Sequence, residues 1–258
     1  MVEILMCGCS GKMGRMIADI VEKDSEAKIT AGIDKYVAKD LLFPVYSDIA
    51  SFTEAFKKGE VKADVIVDFS NPSLTDELIN CSVECNLPLV FCTTGATSQQ
   101  IEHLKDASSK VAVMRSANMS LGVNLIERLV KEAAEILCVN GFDPEIVEKH
   151  HKLKVDAPSG TALELAKSVN EGLSEPYEYV FDRSSRREQR LVKEIGISAV
   201  RGGSIVGEHE VIFAGLDEVI EIKHTAYSKA VFAKGAIAAA KFLKDKKPGF
   251  YSMKDVLF

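Results

Sequence analysis

No run in this chain approaches the ~20 consecutive apolar residues that a membrane-spanning helix requires, so membrane insertion is not expected. The apolar start, Met1 to Gly8, is too short for the core of a secretory signal and lacks a basic flank. A cytoplasmic protein is expected. Positive charge is not in excess: 32 Lys and Arg stand against 38 Asp and Glu, a formal net charge of -6. Nonspecific nucleic-acid binding is therefore not suggested, and any anion site must be locally basic. The six cysteines (Cys7, Cys9, Cys81, Cys85, Cys92 and Cys138) include no Cys-x-x-Cys pair, and the histidines are not at finger spacing. A metal site is not expected, and most of the thiols sit in apolar runs as buried, reduced side chains. Internal repeats, low-complexity segments and flexible linkers are also missing.

What remains is an ordinary globular composition: 258 residues, 47% hydrophobic and 27% charged. That length fits one large domain or two modest ones and supports a core without covalent staples.

Val2 to Cys7 is a short apolar strand pattern. Gly8, Gly11 and Gly14 follow, then a helical pattern through Val21. Strand, glycine turn, helix is the order of a dinucleotide-binding βαβ unit, although the spacing is Gly-x-x-Gly-x-x-Gly and Cys9 takes the usual first-glycine position. A second strand, Lys28 to Ile33, ends at Asp34, where that fingerprint expects a partner for the ribose hydroxyls. Lys35 follows at once. The acid favours NAD and the adjacent cation could accept the extra phosphate of NADP, so the pair points to dual or NAD-leaning use. Strand patterns recur at Ala63 to Ser70, Leu87 to Cys92 and Val111 to Met114, each followed by a helical run. Such alternation gives a parallel sheet with helices on both faces. Ligands of such sheets bind at the C-terminal strand ends, which makes the Thr93-Thr94-Gly95 and Ser116-Ala117-Asn118 loops cofactor candidates.

After an amphipathic helix, Leu121 to Leu137, the pattern changes. Pro144 to Lys154 has the character of a strand, and strands follow at Ile195 to Arg201, Ile205 to Phe213 and Val219 to Thr225. Gly202-Gly203 has the composition of a hairpin turn between the first two of these. A second, α+β domain is inferred. Arg183 to Arg190 is a polar basic loop, most simply a solvated charge run. Lys229 to Leu243 is an Ala-rich helix, and a short tail ends the chain.

The stretch Glu148-Lys-His-His-Lys-Leu-Lys-Val-Asp-Ala-Pro-Ser-Gly-Thr-Ala162 concentrates the chemistry. Thr161 and Glu164 have capping-box spacing, so a helix start is expected there, with N–H groups and a partial positive charge that suit a carboxylate. If the chain stays extended to Lys154, His150, Lys152 and Lys154 share one face and His151 takes the other. Two readings compete for this stretch alone: a solvated basic strand before a capped helix, or an anion site with a proton donor beside it.

This stretch closely resembles the signature of the 4-hydroxy-tetrahydrodipicolinate (dihydrodipicolinate) reductase family. Gly8-Cys-Ser-Gly-Lys-Met-Gly14, Asp68-Phe-Ser70, Thr93-Thr-Gly95, Asn118 to Asn124, Arg201 to His209 and His224 to Lys229 fall in family order, over nearly the whole chain. The resemblance implies a Rossmann-like, doubly wound N-terminal domain (1–121 plus 229–258) and a central α+β domain (122–228) for substrate binding and oligomerisation, in a homotetramer. It implies reduction of a cyclic dicarboxylate imine by NADH or NADPH, in the diaminopimelate route to lysine. His150 then falls on the proton donor/acceptor, Lys154 on the proton-donating, substrate-binding lysine, and His151 on a substrate contact. Ser159, Gly160 and Thr161 fall on the carboxylate cradle. The turn of Gly8, Cys9, Ser10, Gly11, Lys12 and Met13, with Asp34, Lys35, Cys92, Thr93, Thr94, Ser116, Ala117, Asn118 and Met119, falls on the cofactor site.

The chain departs from the family pattern at Cys92, where glycine is usual, and at Met119, where an aromatic is common. Lys229 and Lys35 stand where arginine is frequent, and Lys35 offers a point charge rather than a fork to a 2′-phosphate. Asn71 lies where a basic residue can occur, and the 183–190 loop lacks the usual glycines. Two other functions fit part of the pattern. A semialdehyde dehydrogenase would need a nucleophilic Cys beside a base, for which only Cys92 is placed. A non-catalytic nucleotide sensor on the same fold would not need both His150 and Lys154.

Overall fold

A computed structural model describes residues 1–36 and 40–258. The chain divides into two compact units, Met1–Leu121 with Lys229–Phe258, and Gly122–Ser228. In the first unit β1 (Val2–Cys7), α1 (Lys12–Val21), β2 (Ala27–Ile33), β3 (Val45–Tyr46), α2 (Ile49–Lys57), β4 (Val65–Asp68), α3 (Thr75–Glu84), β5 (Leu89–Phe91), α4 (Ser98–Ala107) and β6 (Ala112–Arg115) follow in order. The second unit holds α5 (Leu121–Leu137), β7 (Asp143–His150), α6 (Gly160–Glu171), β8 (Glu178–Phe181), β9 (Glu194–Arg201), β10 (Gly207–Ala214) and β11 (Val219–Ala226). The chain then returns to the first unit with α7 (Ala230–Leu243), β12 (Gly249–Tyr251) and α8 (Met253–Leu257).

The first sheet is parallel, in the order β12-β6-β5-β4-β1-β2-β3, which is the doubly wound arrangement expected from the alternating pattern. Its two faces follow from the period of two along each strand. Ile4 and Met6 face α1 and α7 with Ile17, Ala236 and Leu243, while Leu5 and Cys7 face the other side with Phe52, Leu78 and Leu104. The small residues of α7 let it lie close: a Cβ at Gly235 would fall 1.6 Å from the carbonyl oxygen of Met119. That contact fixes the end of the loop after β6. The sequence reading passed over β3 and α2, although Asp48 caps α2 by accepting from the Ser51 N–H at 2.8 Å, ahead of buried Ile49 and Phe52. The tail is also more than a tail, since β12 extends the sheet beside β6.

The second sheet is mixed, in the order β11-β10-β7-β9-β8. One face packs Ile146, Ile197, Val211 and Phe213 against Ile126 and Val130 of α5 and Leu165 and Val169 of α6. Three expectations are corrected. Gly202-Gly203 does not close a hairpin, because β9 and β10 do not pair: β7 lies between them, parallel to β9 and antiparallel to β10. The hairpin is β10–β11. β7 also stops at His150 rather than Lys154. Its neighbours run out there, with His150 opposite Arg201, the last residue of β9, and Lys154 N–H folds back onto the His151 carbonyl at 3.1 Å. The shared face of His150, Lys152 and Lys154 therefore does not exist. Finally, α6 is capped by Ser159, not Thr161: the Ser159 hydroxyl accepts from the Ala162 N–H at 3.2 Å. Of two hydroxyl residues, the one directly before the helical turn wins. Among the described residues no helix is long and apolar enough to cross a membrane.

Candidate active site

In the first unit the glycine turn after β1 is made by three different constraints. Gly8 has φ +76°, the left-handed region, and a Cβ there would lie 2.5 Å from the Phe69 carbonyl oxygen. A Cβ at Gly14 would lie 2.3 Å from the Gly8 oxygen, so α1 touches the turn only because Gly14 has no side chain. Gly11 is the N-cap of α1 and contributes no side-chain cap, leaving the helix start open to an anion, with Lys12 exposed in its first turn. The Cys9 side chain turns inward: it is buried and meets Gly32, and burial pushes its thiol up to about 11. At the end of β2, Asp34 accepts from the Ser10 N–H at 2.9 Å and the Tyr36 N–H at 3.0 Å, which ties it to the glycine turn. Lys35 is exposed beside it.

A cleft of ≈ 580 Å³ opens at the C-terminal ends of β4, β5 and β6. Met13, Cys92, Thr93, Thr94 and the whole Ser116 to Met119 loop line it, so these candidates do come together, along with Arg115, Lys229 and Phe232. Asp68 lies under it, buried at the end of β4, with Oδ1 accepting from the Ser70 N–H at 3.0 Å. Burial pushes its carboxyl up, against the opposing pull of the Ser70 hydrogen bond. Burial and the neighbouring Asp68 also push the Cys92 thiol well up. That is the reverse of what a nucleophilic cysteine needs, and it argues against the semialdehyde-dehydrogenase reading.

The second unit builds with side chains. Glu148 is completely buried on β7. Arg201 at the end of β9 grips it with both terminal nitrogens, donating to Oε2 at 2.7 Å and Oε1 at 2.6 Å. Burial alone would push the Glu148 carboxyl up, but Arg201, then His150 and the Ser159 N–H, bring it below its ordinary value. His150, two residues along and so on the same face, places Nδ1 2.6 Å from Glu148 Oε2. The Ser159 N–H donates to Glu148 Oε1 at 3.0 Å, and the Ser159 hydroxyl lies 2.8 Å from His209 Nε2. His209 stands opposite Glu148 on β10, its ring 5.1 Å from that of His150. Lys154 pairs with the exposed Asp156 carboxylate at 2.9 Å, and Asp156 in turn offers its carbonyl to Arg201 at 2.6 Å. Gly160 and Thr161 are the first residues of α6, where backbone N–H groups point out of the helix end. His151 is exposed in the turn after β7.

Two family models divide the chain: "Dihydrodipicolinate reductase, N-terminus" matches residues 2–119 and "Dihydrodipicolinate reductase, C-terminus" matches residues 122–257. The chain belongs to the dihydrodipicolinate reductase family. The 4-hydroxy-tetrahydrodipicolinate reductase of Caldanaerobacter subterraneus subsp. tengcongensis is 48% identical over 257 residues, covering 100% of this chain and 98% of the relative. That of Clostridium tetani is 46% identical, covering 98% and 96%. A dipicolinate-bound dihydrodipicolinate reductase from Paenisporosarcina sp. TG-14 shares the fold, with TM-score 0.81, 22% identity and 99% of both chains covered. The N-terminal family half indicates a pyridine nucleotide as cofactor.

Against this family background, Glu148, Arg201 and His209 are the residues that sequence reasoning missed. A signal was present. In a strand, Glu148 must share the face of His150, and an acid there beside a histidine asks for a cation. The basic loop also differs from the solvated charge run expected of it. Arg183 and Arg186 pair with buried Glu194 at 2.7 and 3.0 Å, and Arg190 pairs with Asp143 at 2.6 Å and Glu145 at 3.0 Å, so the run is knitted to β7 and β9 rather than solvated.

Proposed function

We propose that this chain reduces 4-hydroxy-tetrahydrodipicolinate to tetrahydrodipicolinate with a reduced pyridine nucleotide, in the diaminopimelate route to lysine. The observation that carries the reading is the grouping of His150, Lys154 and the head of α6 around one buried carboxylate, Glu148. Full-length relatives bearing that activity in their names support it.

The first unit fits a dinucleotide. Its glycine turn leaves backbone approach at Gly11, the start of α1 lacks a side-chain cap, and Asp34 stands at the end of β2 for a ribose. Ser10, Lys12 and Met13 surround the same turn, and Cys9 contributes through its backbone because its thiol is buried. Thr93, Thr94, Ser116, Ala117, Asn118 and Met119 hold the nicotinamide side, with Cys92 narrowing it. Bound there, the nucleotide supplies a hydride.

A hydride must be matched by a proton, and His150 Nε2 and Lys154 Nζ are the donors. Lys154 already holds a carboxylate, that of the exposed Asp156, and a substrate carboxylate takes its place. Gly160 and Thr161, after the Ser159 cap, receive that negative charge with the positive end of α6, and His151 completes the pocket. Asp34 followed by Lys35 gives use of NADH at least as efficient as that of NADPH, because an acid accepts a free ribose hydroxyl and repels a phosphate. The working form is a homotetramer assembled through the second unit.

A coupled assay tests the reading. Substrate is generated from pyruvate and aspartate semialdehyde by the preceding synthase, and oxidation of NADH and NADPH is followed in parallel. Substrate-dependent oxidation is expected, with kcat/KM for NADH equal to or above that for NADPH. No oxidation with either nucleotide overturns the function, and a strong preference for NADPH overturns the role given to Asp34. Light scattering giving a monomer mass would refute the tetramer.

A further inference from the structure

We propose that Glu148 is a positioning residue that fixes His150 as the Nδ1–H tautomer, leaving Nε2 as the atom that exchanges a proton, and that it locks the head of α6 to the same frame. The inference rests on His150 being the proton donor proposed above: the neutral ring takes up a proton from solvent at Nε2, and that proton is the one Nε2 passes to the substrate.

The geometry is over-determined. Glu148 is completely buried, and each of its oxygens has two partners. Oε1 accepts from the Ser159 N–H at 3.0 Å and from Arg201 at 2.6 Å. Oε2 accepts from Arg201 at 2.7 Å and meets His150 Nδ1 at 2.6 Å. Arg201 has only donors and is always charged, so it demands an ionised carboxylate. An ionised carboxylate carries no proton of its own. The proton in the contact with His150 therefore belongs to Nδ1, and neutral His150 has its acceptor lone pair on Nε2.

The other end of the ring has been given room. Gly207, the first residue of β10, lies beside the ring, and a Cβ there would come within 3.1 Å of Nε2. The missing Cβ at Gly207 leaves that space free beside Nε2, while Nδ1 is pinned by Glu148. Meanwhile the Ser159 N–H and the Arg201 bond to the Asp156 carbonyl at 2.6 Å tie the loop before α6 to the same carboxylate. A proton donor and a carboxylate cradle, from segments nine residues or more apart in sequence, are thus set by one group.

The test uses full-length enzyme and two substitutions. In E148Q the charge goes but the shape stays. In E148D the charge stays. Ring 15N resonances of His150, one of five histidines, report the tautomer without any turnover. Wild type is expected to show a protonated Nδ1 and a bare Nε2, and E148Q to lose that single state. Turnover in E148Q is expected to fall about 100-fold in kcat, in line with losses on removing a carboxylate that orients a catalytic or metal-bound histidine. Nucleotide affinity should be unchanged, and E148D should recover all but about 10-fold of the loss. A bare Nδ1 in wild type overturns the proposal, whether or not E148Q folds. So does E148Q turning over within about threefold of wild type, since a positioning role predicts far more. Absence of turnover in wild type with the Nδ1–H state present would sink the functional reading and leave the positioning intact.

Discussion

In the first unit the candidate ligand surface is backbone: a glycine turn, an uncapped helix start and three strand ends, with the reactive side chains nearby turned away or silenced. Cys9 is buried against Gly32, and the Cys92 thiol is pushed well up beside Asp68. In the second unit the surface is side chain: an acid, an arginine fork, two histidines and a lysine on one end of a mixed sheet. The contrast follows from what each site must do. A nucleotide brings its own chemistry, so its binder needs shape and N–H groups. A proton and two carboxylates must be handled by the chain itself, so ionisable groups have to be held at fixed distances. Substitutions should therefore act in opposite ways in the two units: adding atoms damages the first, and removing charge damages the second.

The largest effect should come from Lys154→Ala. It deletes the cation that pairs with Asp156 and removes one of the two proposed proton donors. A fall of about 10³-fold in kcat/KM is expected, within the usual range for a lost general acid. Nucleotide affinity, measured by titration calorimetry, should not move. Turnover near that of wild type would dissolve the contrast at its stronger end.

Next in size is Gly14→Ala. The added methyl would sit 2.3 Å from the Gly8 oxygen and 2.6 Å from Cys9 Cα, both backbone-held, so the turn itself must shift. Nucleotide Kd is expected to rise about 10- to 100-fold, an effect of the size seen when positioned contacts are displaced. The ring 15N pattern of His150 should be unchanged, because that histidine belongs to the other unit. A variant that binds nucleotide like wild type would show that the close approach of α1 is packing and not part of the cradle.

The same contrast explains what was legible in the sequence. Backbone sites leave composition signals: the glycines at 8, 11 and 14, Asp34 at a strand end, and the small polar loops after β5 and β6 all lie where their spacing indicates. The doubly wound sheet and the Leu121–Leu137 helix follow from periodicity for the same reason. Side-chain sites are set by pairing across strands, and pairing depends on strand order. Nothing local says that β7 inserts between β9 and β10. Without that order Gly202-Gly203 resembles a hairpin, Arg201 has no visible partner, and His209 cannot be seen opposite Glu148. The bend after His150 was hidden likewise, because the strand ends where its neighbours end rather than at a breaker residue.

The smallest effect lies in His209 and is a matter of pH. The ring is buried, and burial first, then the charge of His150, lowers it to about 4 from an ordinary 6.5. Glu148 opposite pulls the other way, while His224 on β11 and Lys154 push with His150. The folded form therefore resists a proton that the unfolded chain takes up readily. Its contribution is complete above about 6.5, and it is lost as pH falls toward about 4. By pH 5 the loss should amount to about 2 kcal/mol, at about 1.4 kcal/mol per pH unit. His209→Asn cannot titrate. The urea-unfolding free energy of wild type minus that of the variant should thus fall by about that amount between pH 7 and pH 5, whatever its value at pH 7. A difference that stays constant over the interval would mean that His209 accepts a proton in the folded state, and that the second unit tolerates one more positive charge beside His150 and Lys154 than its packing implies.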